Sequence, residues 1–216
     1  MIGIFGGTFD PVHSGHTHAA LSVASELGLS SIRMLLSARP GHRMPSQTSK
    51  EHRWKMLQLA CAEHSSLIAD DRELNRPGTS YSFDTLAAIA ADKSAAGEDS
   101  SAPVWILGHD SYVTLTSWYR WNEITNLCNL VVLDRPGQMT AEEPNLVNFF
   151  ARRRCEKIDH SKVGQMLRLL LPMSEVSATF IRRQLSLGQS VSDLLAPKVN
   201  QYIEQHQLYT TTESIV

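Results

Sequence analysis

Alternating strand-like and helix-like segments predict an α/β protein, a doubly wound parallel sheet with right-handed crossovers and a small helical portion at the C-terminal end. Three observations carry that expectation. The opening apolar run MIGIF stops at paired glycines and leads into a long Ala/Leu-rich stretch. Short apolar runs then recur along the chain (IRMLLS, SLIADD, PVWILG, NLVVLD, MLRLLL), most of them separated by helix-like sequence. The segments suited to holding anions all fall where a strand hands over to a helix, which defines one binding edge.

The elements follow in order. Met1 to Phe5 reads as a buried strand, and Gly6-Gly7 as the turn that ends it. GHTHAALSVASEL continues as a helix without a breaker up to Gly28, a glycine stop. Between them lies GGTFDPVHSGH, residues 6–16. The glycines lack Cβ atoms, so a phosphate could approach the backbone N–H groups closely, and Thr8 adds a hydroxyl. His13 and His16 stand at the start of the helix, where N–H groups and the helix dipole favour an anion. This is neither a P-loop nor a dinucleotide-binding glycine fingerprint. The plainer alternative is an ordinary turn whose histidines cap backbone groups.

Ile32 to Ser37 forms the second strand, followed by the loop ARPGHRMPSQ, which carries His42 and Arg43. That pair would serve a phosphate or solvent equally well. Thr48-Ser49-Lys50-Glu51 offers a capping box for the helix HRWKMLQLACAEH, with Met56, Leu57 and Ala60 facing the core and Trp54 in packing. Ser66 to Asp71 is the third strand, and Ser80 or Ser82 caps the helix FDTLAAIAADK. SAAGEDSSA makes a surface loop. Pro103 to Gly108 is a further strand, ending in Gly108-His109-Asp110-Ser111, so that Asp110 lies at a carboxyl edge suited to ribose hydroxyls or a metal. Three large rings in Trp118-Tyr119-Arg120-Trp121 cannot all enter one core, so at least one lines a pocket or the surface. Asn129 to Asp134 is a strand ending in Arg135-Pro136-Gly137; Asn145 to Arg154 reads as a helix and Met166 to Leu171 as the last strand. Ser177 is an N-cap for a helix that ends at Gly188, with Ser177, Thr179 and Arg182 on its first turn. PKVNQYIEQHQLY closes the fold as a helix, and residues 210–216 form a flexible polar tail.

Composition bounds the function classes. A chain of 216 residues suits one domain, 1–216, and 42% hydrophobic with 19% charged residues is ordinary for a soluble globular protein. A net charge of −2 provides no global field for nucleic acid or acidic membranes. No apolar run reaches the ~20 residues of a transmembrane span, and the N-terminus lacks a secretory pattern, which points to the cytoplasm. Cys61, Cys128 and Cys155 are isolated and lack metal-ligand spacing.

GGTFDPVHSGH resembles the signature of the nucleotidylyltransferase superfamily, and most closely that of the nicotinate mononucleotide adenylyltransferases of NAD biosynthesis. The likeness runs from Met1 to about Tyr209, through Ser80-Tyr81-Ser82-Phe83-Asp84-Thr85, Gly108-His109-Asp110-Ser111 with Trp118, Arg135-Pro136-Gly137 and Val176 to Arg182. It implies a Rossmann-like sheet of the nucleotidylyltransferase type. It further implies that His13, His16 and Arg182 are catalytic and that Gly6, Gly7, Thr8, Phe9, Gly108, Asp110, Ser177 and Thr179 bind ATP. His42, Arg43, Ser82, Thr85, Trp118, Tyr119 and Arg135 would bind the mononucleotide, with Trp118 stacked on the pyridine ring and backbone donors near Ser82 and Tyr119 on its carboxylate. ATP and nicotinate mononucleotide are the implied partners, without nucleic acid or membrane, and Mg²⁺ would come with the ATP phosphates rather than in a protein cage. The chain departs from the family at residues 36–42, which lack the usual asparagines, at His109, where Ala or Gln is usual, and at Ser82, which replaces Thr. Two alternatives stand beside this reading: a sister transferase acting on another phosphorylated acceptor, such as nicotinamide mononucleotide or phosphopantetheine, and a nucleotide-binding module without catalysis.

Overall fold

The computed structural model describes residues 2–39, 46, 48–96, 101–134, 141–171 and 176–210. Six strands make one sheet: β1 (Ile2–Gly7), β2 (Ser31–Leu36), β3 (Leu67–Asp70), β4 (Val104–Gly108), β5 (Asn129–Asp134) and β6 (Met166–Leu170). Their order is β3-β2-β1-β4-β5-β6 and every pairing is parallel. Helices α1 (Ser14–Leu27), α2 (Lys50–Cys61), α3 (Ser82–Ala96), α4 (His109–Tyr112), α5 (Pro144–Ala151), α6 (Ala178–Ser186) and α7 (Pro197–Gln205) complete the chain, with short 3-10 turns between β4 and β5.

Both faces of the sheet are covered, and the period-two alternation of the strands decides which residue serves which face. Phe5, Met34, Leu36, Ile106 and Val131 point into one core with Val23 of α1, Leu57 of α2, Ile181 of α6 and Ile203 of α7. Their neighbours Ile4, Leu35, Trp105, Leu107 and Val132 point into the other, with Leu86 of α3, Tyr112 of α4 and Phe149 of α5. The order of winding reverses between β1 and β4. At such a reversal the helices leave the two strand ends in opposite directions and open a crevice at the carboxyl edge.

Several local expectations are corrected. β1 does not stop at the paired glycines: Gly6 and Gly7 still pair with Leu35 and Leu36, because a glycine without a side chain can continue an extended strand. The N-cap of α2 is Ser49, whose hydroxyl accepts from the His52 N–H at 3.3 Å, one residue beyond the cap expected at Thr48. Ser82 is itself the first helical residue of α3, so Tyr81 occupies the cap position and its carbonyl accepts from the Thr85 N–H at 3.1 Å. The stretch 145–154 is helical only as Pro144–Ala151. Gly28 does stop α1, in the left-handed conformation at φ 61° that glycine adopts without strain.

Candidate active site

The crevice between the ends of β1 and β4 is built first by the turn after β1. Thr8 is half-buried, whereas Phe9 is buried and left-handed at φ 48°. The Asp10–Pro11 peptide is cis. The Phe9 ring packs edge-on to Phe5 at 6.3 Å and to His16 at 5.0 Å, so the turn is anchored in the core by an aromatic plug. A Cβ on Gly7 would lie 2.7 Å from that ring. The plug therefore needs glycine there.

His13 is the N-cap of α1 and His16 its third residue. The His13 N–H donates to His16 Nδ1 at 3.3 Å. An imidazole nitrogen that accepts carries no proton, so this bond assigns the His16 hydrogen to Nε2 and makes Nε2–H its donor. The two rings stack at 3.7 Å with 29° between planes. Gly15 makes room for that stack, since a Cβ there would meet the His13 ring at 3.1 Å.

The second motif expected to hold an anion comes to the same place. Ser177 caps α6, accepting from the Phe180 N–H at 3.1 Å. One turn on, Arg182 donates to the Asp10 carbonyl at 2.7 Å and to the Thr179 hydroxyl at 3.3 Å. Residues 10 and 182 are far apart in sequence, yet a single bond holds the two motifs together. Gly108 ends β4 with open space where a Cβ would stand, and Asp110 is exposed on the first turn of α4.

The segment leading into α3 lies against the end of β2. The Ser80 N–H donates to the Arg39 carbonyl at 3.0 Å, and the Arg39 N–H returns to the Ser80 hydroxyl at 3.3 Å. From there Tyr81 and Phe83 reach Tyr119, at ring distances of 4.8 and 6.3 Å, which brings Ser82 and Tyr119 together. Trp118 is half-buried beside them in sequence, and Tyr119 is 47% exposed. Of the three clustered rings, Trp118 and Trp121 are both half-buried against the second core, Trp121 packing 4.8 Å from Phe149. Thr85 is turned inward: fully buried, it donates to Glu73 at 2.8 Å and accepts from Arg76 at 3.0 Å. His42, Arg43 and Arg135 lie outside the described residues.

Three partnerships in this region were not read from the sequence. Asp10 gathers distant segments, its carboxylate accepting from Tyr209 at 2.6 Å and from Ser46 at 2.5 Å. Burial, with the Asp10 charge beside it, pushes the Tyr209 phenol strongly up. Arg53 is 3% exposed and donates to four main-chain carbonyls. Its signal was present: Arg53, Met56, Leu57 and Ala60 fall at the spacing of one buried helical stripe, where a guanidinium has to find partners. His109, the unusual residue after Gly108, is buried and bonded through Nδ1 to Asp134 at 2.8 Å, and Asp134 in turn pairs with Arg168.

Comparison with known proteins agrees with this architecture. The sequence model of the family described as "Cytidylyltransferase-like" matches residues 4–184. A "Probable nicotinate-nucleotide adenylyltransferase" of Pectobacterium atrosepticum is 36% identical over 214 residues, covering 97% of this chain and 98% of that protein. The protein of the same description from Pseudomonas putida (strain GB-1) is 39% identical, over 96% and 94%. Among solved structures, the Plasmodium falciparum nicotinic acid mononucleotide adenylyltransferase complexed with NaAD superposes with a TM-score of 0.71 at 16% identity, covering 96% of each chain, which is a likeness of fold. With identity above one third along nearly the whole of both chains, the chain belongs to the nicotinate-nucleotide adenylyltransferase family of cytidylyltransferase-like proteins.

Proposed function

We propose that this chain, acting as one domain, transfers the AMP part of ATP to nicotinate mononucleotide, giving nicotinate adenine dinucleotide and pyrophosphate. The observation that carries the reading is the convergence of the His13/His16 turn and the Thr179/Arg182 turn through the Arg182–Asp10 bond, at the point where the sheet reverses. An oxygen of the mononucleotide's 5′-phosphate attacks the α-phosphorus of ATP; the new O–P bond forms as the bond to the β-phosphate's bridging oxygen breaks. Such a transfer needs positioned reactants and donors for the charge that grows on the phosphoryl oxygens. His16 Nε2–H and His13 serve the phosphates on the turn after β1, with Gly6, Gly7, Thr8 and Phe9 supplying its backbone. Arg182, Ser177 and Thr179 take the leaving pyrophosphate, a guanidinium being suited to a charged, multi-oxygen group. Gly108 and Asp110 receive the adenosine, while Ser82, Trp118 and Tyr119 receive the nicotinate ring. Thr85 supports that pocket from behind through Glu73 and Arg76.

Mg²⁺ is taken to arrive on the ATP phosphates, where it neutralises charge. Near the crevice, the Asp10 carboxylate is engaged by Tyr209 and Ser46. No helix among the described residues is long and apolar enough to cross a membrane, and we place the enzyme in the cytoplasm.

Pyrophosphate release with ATP and Mg²⁺ tests the reading, with nicotinate mononucleotide, nicotinamide mononucleotide and phosphopantetheine offered in turn. Release with the nicotinate compound above the others is expected. Preference for another acceptor would keep the chemistry and move the substrate; silence with all three in a folded, ATP-binding protein would overturn the transferase reading.

A further inference from the structure

Arg53 lies on α2, outside every motif that the chemistry above uses, and its setting is unusual for a cation. It is 3% exposed, and its donors go to main-chain oxygens: Nη1 to Thr8 and to Ser37, each at 2.9 Å, Nη2 to Ala38 at 3.3 Å, and Nε to Thr48 at 3.3 Å. No ion pair within 4.0 Å forms with it among the described residues; Asp10 acts on it only at longer range, and burial pushes its pKa down. A buried charge without a bonded counter-charge is costly, and packing alone would favour an apolar residue on this stripe.

What the four carbonyls share is location. Thr8 follows β1, Ser37 and Ala38 follow β2, and Thr48 precedes the cap of α2. One rigid fork therefore fixes the turn on the ATP side to the start of the loop on the acceptor side. It also fixes direction. A trans peptide holds its N–H opposite its C=O, so a Thr8 carbonyl drawn to the buried guanidinium turns the Phe9 N–H away from it, towards the crevice. The same bonding places a positive charge behind that turn, offset only at longer range by Asp10, where it acts on phosphates through a medium of low dielectric.

We propose that Arg53 is a positioning residue of this enzyme: it sets the separation between the turn after β1 and the segment after β2, and aims the Phe9 backbone donor. The proposal rests on the adenylyl-transfer reading above. Because in-line transfer depends on the relative placement of two bound substrates, loss of the fork should lower kcat more than it raises either KM.

The experiment compares wild type, Arg53→Lys and Arg53→Met in the pyrophosphate assay with ATP and nicotinate mononucleotide, alongside thermal unfolding. Lysine keeps the charge but, as a single flexible ammonium, cannot span four carbonyls. Expected are folded variants whose kcat falls by ~10- to 100-fold for Lys, and further for Met, with both KM values within about threefold of wild type. Folded Arg53→Lys protein with wild-type kcat would overturn the proposal, as would a loss confined to KM. Failure of both variants to fold would assign Arg53 to stability alone and overturn it equally. A silent wild type in the same assay would instead remove the transferase reading, and the proposal with it.

Discussion

His16 shows how much chemistry one backbone contact can assign. Its Nδ1 accepts from the His13 N–H, its ring is stacked on His13, and Phe9 meets it edge-on, so both tautomer and orientation are held before any phosphate arrives. Preorganised donors of this kind account for much of the rate in phosphoryl chemistry because they need no reorganisation during the reaction. His16→Ala should lower kcat by ~10²–10³ with an unchanged unfolding temperature. Steady-state pyrophosphate release and a thermal scan check both halves, and near-normal turnover would remove His16 from the mechanism. The neighbouring residues show the cost of building such a point: Gly7 and Gly15 are needed because the Phe9 and His13 rings occupy the space of their missing side chains.

Among the elements, α6 is the most informative. Only Ile181 of this helix is fully buried, while Phe180 is 47% exposed, so tertiary packing grips it on a narrow face. Its start is held by the Ser177 cap, and its Arg182 ties it to the signature turn. Ser177→Ala should therefore cost about 1 kcal/mol of stability and also weaken ATP binding, since the helix start it caps presents Thr179 and, one turn on, Arg182. Urea unfolding and calorimetric titration with ATP separate the two effects; a stability loss with unchanged ATP affinity would reduce Ser177 to a cap. The boundaries of other elements moved by one to four residues from their expected places. Ser49, not Thr48, caps α2 because its hydroxyl reaches the His52 N–H, while the Thr48 carbonyl is taken by Arg53.

Across the whole molecule, the two cores bury several weakly acidic groups in neutral form. Burial pushes the Cys61 thiol from 9.0 up to about 12 and the Tyr112 phenol from 10.0 up to about 12, and raises Cys128 and Tyr209 further. The unfolded chain gives up these protons at lower pH than the native one. Stability is thus full below about pH 9 and falls as pH rises from there towards 12. Urea midpoints measured from pH 7 upward should decline above pH 9, and Cys61→Ala should soften the first part of that decline. A flat profile through that range would mean that these groups are already exposed in the native state.

Much of this enzyme could be read from one-dimensional pattern. Each buried strand announced itself as a short apolar run, and the stops at Gly28 and Gly188 followed from local conformational preference, as did the Ser177 cap. The GGTFDPVHSGH and SATFIRR segments were also legible as helix starts, because such starts are local structures with local sequence rules. The aromatic cluster at 118–121 was legible only as a conflict, which the fold settled by setting Trp118 and Trp121 half-buried against the core and leaving Tyr119 at the surface. What only tertiary structure decided is which distant groups meet. Asp10 is bonded by Tyr209, Arg182 reaches the Asp10 carbonyl, Thr85 turns to Glu73, and Arg53 spans the ends of two strands. Periodicity reports the face a residue occupies but not its partner across the fold. Those partnerships arise from the order in which parallel strands stack, and that order brought the turn after β1 and the start of α6 together.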